Sequence, residues 1–545
     1  MMKNINNIFN ILKSLTVLII VLLATVFSSF TGKKAEIVSE DRAGNFNIGW
    51  ASIDITPDKP VLLAGQFFAR VSEGVLDPVT ATVLALEYGT GPSSEKAIMI
   101  SCDLVSISEN FRDNVRNLLK NTIPEVNSDQ IFLNATHTHT APSVGSATDT
   151  KSMYGVELDA MSPADCQKYI SERIAKATEE AWKNRKPGGI SFGLGQAVVG
   201  HNRHSVDMNG KSVMYKNANF PEFSHVEGYV DHSVNLLYTW DKKSKLTGMI
   251  INVPCPSQVT ESIFQISADY WYETRLEVRK RFGKNIYILP QCSAAGDQAP
   301  HIQVGAKDEE RMQRLIVQDK VPGGRSSLGQ RRQIALRIAD AVTSVYPYMK
   351  DNIDWDPVFE HRAEQMELSR RIIDTSGIRN APDATRRLTG LVDANTPESY
   401  AEQYNQLLQE ITENPEIKKK DPHWYVGITN AYSKMRGSTG RPDRPSPGQH
   451  PAKMPVEIHV VRIGDIAFAT NPFELYLDYG IRIKGRSPAI QTFLVQLTGS
   501  GGYLPSARAV AGGSYGAAST AIGPEGGQEL VEKTLEMINA VWHKK

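Results

Sequence analysis

The chain has 545 residues, 41% hydrophobic and 22% charged, which is ordinary globular composition with ample material for a large core. Lysine plus arginine and aspartate plus glutamate each number 60, so no basic surplus points to nucleic acid and no acidic tail is present. Four cysteines are too few for a disulfide framework and leave room for a single bridge.

At the start, Lys3 and Lys13 flank a polar stretch, and the apolar run Leu15 to Phe27 leads into Ser28, Ser29, Thr31 and Gly32. This is the layout of a secretory signal peptide, and the run is shorter than the roughly 20 residues that cross a bilayer. Residues 1–35 are therefore set apart as a targeting segment. The mature protein, 36–545, is expected to be exported, periplasmic or secreted, without a stable transmembrane segment.

Ile48 to Ile55, Thr80 to Tyr88 and Ala97 to Ile100 read as strands, and Arg112 to Leu119 as a helix. The apolar strand Gln130 to Ala135 runs into Thr-His-Thr-His, and Cys166 to Asn184 is an amphipathic helix. Strand patterns return at Val234 to Trp240, Gly248 to Val253 and Asn285 to Leu289. This alternation predicts an α/β fold, a mixed central sheet flanked by helices, with function at strand ends. Residues 360–436 are polar and predicted mostly helical, an insertion that includes a helix over Glu398 to Ile411. Gly437 to Pro451 reads as a loop. Strands resume at Val456 to Ile463 and Ile466 to Ala469, and a terminal helix starts near Glu525.

His137-Thr138-His139 is the sharpest local feature, because alternating residues of a strand share a face and both imidazoles can then enter one cleft. Imidazole ligates metals and exchanges protons near neutral pH, so both readings stand for this pair, beside that of two histidines at a strand end. Four further turns follow strands. They are 252–258, ending at Gln258, 291–300, containing Asp297, 471–474, and 501–505. Gly and Pro account for their shape, and their placement is where α/β enzymes carry side chains.

Gly49 to Pro57 (GWASIDITP), Ser101 to Leu104 (SCDL), Ala135 to Pro142 (ATHTHTAP), His201-Asn202-Arg203 and Tyr515 to Pro524 (YGAASTAIGP) occur in this order along the chain. Together they resemble the neutral/alkaline (non-lysosomal) ceramidase family. The resemblance implies a ceramidase-like catalytic domain with zinc held by two histidines, a glutamate and a tyrosine. Carried over, these are His137, Glu474 in Pro472-Phe473-Glu474-Leu475, and Tyr503 at the head of Tyr503-Leu504-Pro505-Ser506. His139 would then face substrate or a reacting oxygen. Arg203, with Asn202 and Gln258, would bind substrate.

Three departures qualify that inheritance. The second metal histidine is replaced by Cys255 in Cys255-Pro256, and a thiolate is a good zinc ligand. A buried Cys255, or one bridged to Cys292, is the other reading. The family's nucleophilic serine falls on Ala299 of Gly296-Asp297-Gln298-Ala299-Pro300, so no serine step transfers; Ser257 and Ser293 are near in sequence, but nothing in the sequence shows either in the right place. The C-terminal immunoglobulin-like domain of ceramidases has no counterpart after 525. The expectation is a zinc-dependent hydrolase that cleaves an amide or ester by metal-activated water, with His139 or Asp297 as general base. Its substrate would be a small molecule, an N-acyl lipid or a glycan-linked group. A non-catalytic binding protein on the same scaffold is the alternative.

Overall fold

The computed structural model describes residues 45–317, 327–371, 397–438, 453–518 and 520–543. The signal segment and most of the 437–451 loop lie outside the described residues.

Eight strands form the larger sheet: β1 (Phe46–Asp54), β2 (Thr80–Tyr88), β3 (Glu95–Cys102), β4 (Ile131–Ala135), β5 (Lys186–Gln196), β6 (Ser233–Asp241), β7 (Leu246–Val253) and β8 (Tyr287–Cys292). They lie in the order β8-β7-β6-β5-β1-β2-β3-β4. Pairing is antiparallel except for β3 with β4 and β7 with β8, which are parallel. A second sheet holds β9 (Phe359–Ser369), β10 (Lys453–Ile463), β11 (Ile466–Thr470) and β13 (Gln491–Val495), with β11 and β13 parallel. Beside it, β12 (Phe473–Leu475) pairs in parallel with β14 (Gly502–Leu504).

The sheets pack face to face. Phe46, Trp50, Leu84, Phe132, Leu237 and Ile250 of one form a single buried cluster with Val461, Phe468 and Phe493 of the other. The strand period of two explains the second core: Trp50 faces the other sheet, and its neighbour Ala51 faces helices α1 (Glu109–Leu119) and α2 (Pro163–Lys183). Helices α3 (Tyr270–Phe282) and α5 (Leu328–Lys350) cover the other half of that outer face, and α4 (Ala306–Val317) precedes α5. Helices α8 (Leu477–Arg486) and α9 (Pro524–Trp542) cover the second sheet. The mixed α/β fold is thus as the sequence predicts.

Two details differ from that reading. Phe359–Ser369 is a strand, not a helix, in register with all of β10 from Phe359↔Ile463 to Ser369↔Lys453. Its polar composition resembles an exposed helix, and only a partner almost a hundred residues away fixes it as extended. The central strand β5 also escaped notice because Gly188, Gly189, Gly193 and Gly195 interrupt its apolar pattern. Those glycines admit a close neighbour: a Cβ on Gly193 would meet Val345 Cγ1 of α5 at 2.4 Å. The helical part of the 360–436 region is real and comprises α6 (Pro397–Glu413) and α7 (Tyr425–Ser438). Ile411, Tyr425 and Ile428 from these helices pack on Leu62 and Ala69.

Three of the parallel pairs, β3–β4, β7–β8 and β11–β13, are followed at their carboxyl ends by segments that carry the predicted site residues. This is where open α/β sheets place ligands.

Candidate active site

The histidine pair hangs from the end of β3. The N–H groups of His137 and Thr138 both donate to Leu104 O, at 3.0 and 3.2 Å, and Thr136 N donates to Cys102 O. Asp103 buttresses this turn through two hydrogen bonds from Arg275, at 2.7 and 3.0 Å, with Thr80 and Thr136 completing its shell. The rings meet by a route other than strand alternation. β4 ends at Ala135, and His137 adopts φ +64°, a left-handed conformation uncommon for a side-chain-bearing residue. The ring centroids are then 4.8 Å apart, and the two Nε2 atoms 3.2 Å apart.

His137 Nδ1 lies 2.7 Å from Val105 O, which can only accept. Nδ1 therefore carries the proton, and Nε2 of the neutral ring presents a lone pair. That Nε2 lies 3.5 Å from Glu474 Oε2. Strand register places Tyr503 directly opposite Glu474. Burial pushes the Tyr503 phenol well above its ordinary value, opposed by the charge of Arg203.

Arg203 is buried, with its guanidinium 5.3 Å from the Tyr503 ring, 3.9 Å from Glu474 Oε2, and donating to Gly296 O at 2.7 Å. Burial opposes its charge, yet Tyr503, Tyr215 and Glu474 around it hold the guanidinium well above its ordinary value. Its Nε has no hydrogen-bond partner. An enclosed positive charge beside the histidines suits a substrate oxygen that gains negative charge.

His139 is flanked on its other side by Glu261, with Nδ1 3.6 Å from Oε2. Burial first, and then repulsion from the neighbouring His137, Arg70, Arg203 and His301, hold His139 well below its ordinary range, so the ring is neutral at neutral pH. The second oxygen of Glu261 lies 3.2 Å from His301 Nε2. Gln258 donates to Tyr215 Oη and, at 3.3 Å, to Glu261 Oε2, while its own Oε1 is buried without a partner. Glu261, His301, Tyr215 and Arg70 were not found from sequence. Arg70 is buried and donates to the carbonyls of Ala64, His139, Glu261 and Ile263, so one guanidinium ties both sides of the cleft. Burial pulls its pKa down to about 10.

Other predicted residues stand apart from this cleft or are engaged elsewhere. Asp297 accepts through Oδ1 from Leu477 N at the start of α8, at 3.0 Å, and through Oδ2 from Asn202 Nδ2 at 3.1 Å, so both carboxylate oxygens are engaged. Asn202 is committed by that bond and by accepting from His204 N. Cys255 is free, as are Cys102, Cys166 and Cys292, so no bridge joins Cys255 to Cys292. Its thiol is buried in the cluster of Val253, Val259, Tyr270 and Trp271, against Pro256 O at 3.4 Å, and burial pushes its pKa well above the ordinary value. The structure therefore gathers His137, Glu474 and Tyr503, with Arg203 and His139 beside them, and seats Cys255 in the apolar core. Among the described residues, no three His, Cys, Asp or Glu side chains already stand at mutual metal-binding distances. Ala299 is buried in a two-residue bridge with His201, and Ser293 Oγ is buried without a partner.

Solved structures that share this fold include two ceramidases. The neutral ceramidase from Pseudomonas aeruginosa matches with a TM-score of 0.61 at 17% identity, over 91% of this chain and 74% of that one. A ceramidase complexed with C2 matches with a TM-score of 0.61 at 16% identity, over 91% and 75%. No family model and no curated protein sequence matches.

Proposed function

We propose that the protein is an exported, zinc-dependent hydrolase that cleaves an amide or ester bond. One observation carries this reading: the convergence of His137 Nε2, His139 Nε2 and Glu474 Oε2, spaced 3.2 and 3.5 Å about His137. With Nδ1 of His137 protonated toward Val105, only two proton arrangements remain for His139. A proton on Nε2 leaves a bare Nδ1 facing the Glu261 carboxylate. A proton on Nδ1 satisfies Glu261 and leaves two lone pairs and a carboxylate facing one another, which is a surrounding suited to a cation. The carbonyl partner of His137 Nδ1 is also the support that metal-ligating histidines generally have.

His137, Glu474 and Tyr503 are the donors the site offers to such an ion. A divalent ion bound there would lower the pKa of water to about 7 and polarise a scissile carbonyl. The remaining work falls to this chain. Neutral His139, steadied by Glu261, accepts a proton as general base and returns it to the leaving group. Arg203 holds the substrate oxygen that gains charge, from a fixed and dry position. Asp297, with both oxygens engaged, anchors Arg203 through Arg203 N to Asp297 O at 3.0 Å and takes no proton. Among the described residues no helix is long and apolar enough to cross a membrane.

Elemental analysis of purified protein, combined with hydrolysis of a panel of N-acyl and O-acyl compounds, tests the reading. Stoichiometric zinc with metal-dependent turnover is expected. Metal-free protein with undiminished turnover, or metal-loaded protein inert to the whole panel, would overturn it.

A further inference from the structure

Behind His301 a cavity of about 150 Å³ opens toward α4 and α5. His301 is 1% exposed and lines this cavity, and its Nε2 lies 3.2 Å from Glu261, whose other oxygen is 3.6 Å from His139 Nδ1. With Nε2 directed at the Glu261 carboxylate, Nδ1 is a bare acceptor, and it is buried without a hydrogen-bond partner. Asn217, Glu310, Gln313 and Gln330 bring polar side chains to the other walls. Gln330 donates through Nε2 to Pro300 O at 2.6 Å, which leaves its Oε1 as an acceptor. Gln313 accepts through Oε1 from Ser327 Oγ at 3.3 Å, which leaves its Nε2 as a donor. Asn217 and Glu310 line the rim, and only Ile302 and Ala306 bring apolar side chains.

An alkyl chain would strand these donors and acceptors without partners, at a cost for each buried polar group. A hydroxyl both donates and accepts, and so matches a wall where acceptors and donors alternate. About 150 Å³ is also the size of cavity that one six-membered ring fills. We propose that this cavity is a subsite for one sugar ring, a polyhydroxylated group carried by the substrate whose amide or ester bond lies at His139 and Arg203.

The role as a substrate subsite rests on the hydrolase reading. Binding of a free sugar needs neither metal nor turnover, so the two can fail separately. Ligand-observed NMR of the full mature protein with D-glucose, D-galactose and N-acetyl-D-glucosamine, against n-octanol as apolar probe, tests the cavity. At least one sugar is expected to bind in the millimolar range or tighter and to retain that affinity in His137→Ala. Ala306→Leu, which fills the cavity, is expected to weaken binding at least tenfold. Glu310→Leu at the partly exposed rim, a milder change should Ala306→Leu fold poorly, is expected to weaken it about fivefold. Absence of binding for all three sugars, preference for n-octanol, or sugar affinity unchanged in both variants would overturn the proposal.

Discussion

His137 presents Nε2 to His139 Nε2 across 3.2 Å while its Nδ1 is held 2.7 Å from the Val105 carbonyl. The carbonyl fixes which nitrogen of His137 is bare, and with the neighbouring Glu474 carboxylate that nitrogen forms one side of the proposed cation seat. His137→Ala and Glu474→Gln should each lower zinc content at least tenfold in protein dialysed against a weak chelator, with native circular dichroism. Retention of one zinc per chain in both variants would place the ion elsewhere.

Cys255 separates the geometry from the motif. The motif resemblance puts it where a metal histidine would stand, yet its thiol sits in an apolar cluster with Tyr270 and Trp271. Ionising it there carries the full desolvation penalty of a buried anion. Cys255→Ala should keep zinc within about twofold of wild type and lower stability by about 1 kcal/mol for the small core void left behind. A drop in zinc without unfolding would return the thiolate to the ligand set.

Gly65 is a sensitive point on the opposite wall. Its φ is +96°, and an added Cβ would come within 2.5 Å of His139 Cγ and 2.8 Å of its Cα. The loop cannot easily retreat, because Ala69 N is bonded to Thr429 Oγ1 and Val71 N to Tyr425 Oη of α7. Gly65→Ala should therefore push His139 out of place. Displacement of a reacting group by about 1 Å costs roughly 100-fold in turnover. Steady-state kinetics should show that loss in kcat with zinc content unchanged. Unaltered kcat would remove His139 from the chemistry.

How much of this was legible in the sequence follows from what fixes each part. Strands such as Thr80–Tyr88 and the His137–His139 turn announce themselves locally, through period-two apolar residues and an adjacent imidazole pair. Glu474 and Tyr503 came from the family motifs, and neither has a local signature that separates it from an ordinary loop residue. Glu261, His301 and Arg70 had no signal at all. Each is a lone polar residue whose importance comes from burial and from partners up to two hundred positions away, as with Arg70 Nη1 and Glu261 O. Asp297 is ambiguous in the sequence because a carboxylate in a Gly-rich turn after a strand looks alike whether it takes protons or caps a helix. Its contacts with Leu477 N and Asn202 favour the capping role.

That capping role predicts a stability effect without a catalytic one. In Asp297→Asn an amide NH2 must face either Leu477 N–H or the Asn202 NH2 donor. Asn202 cannot turn round without giving up its bond from His204 N. One buried donor is left facing another, worth about 1–3 kcal/mol. Urea unfolding should show that loss, while the pH profile of turnover keeps its shape. Disappearance of one limb of the profile would make Asp297 a proton carrier after all.

Far from the cleft, the sheet interface contains a pH-sensitive pair. His361 Nε2 lies 3.0 Å from His459 Nδ1, with Nδ1 of His361 on Lys96 O, and the Phe132 ring lies against both imidazoles. Burial first, and then the neighbouring His459, hold His361 down at about 3 against the favourable Lys96 carbonyl. The folded pKa is therefore depressed below the unfolded value of about 6.5. As pH falls below about 6.5, the unfolded chain gains a proton that the native ring refuses until about pH 3, so stability declines through that window. The slope contributed is at most about 1.4 kcal/mol per pH unit, and less because the residue retains some solvent contact. His361→Gln removes the titrating group and keeps a hydrogen-bonding side chain beside Lys96. Urea midpoints measured from pH 7 to pH 4 should fall less steeply for this variant than for wild type. Parallel curves would mean that the native pair takes up its proton as readily as the unfolded chain does.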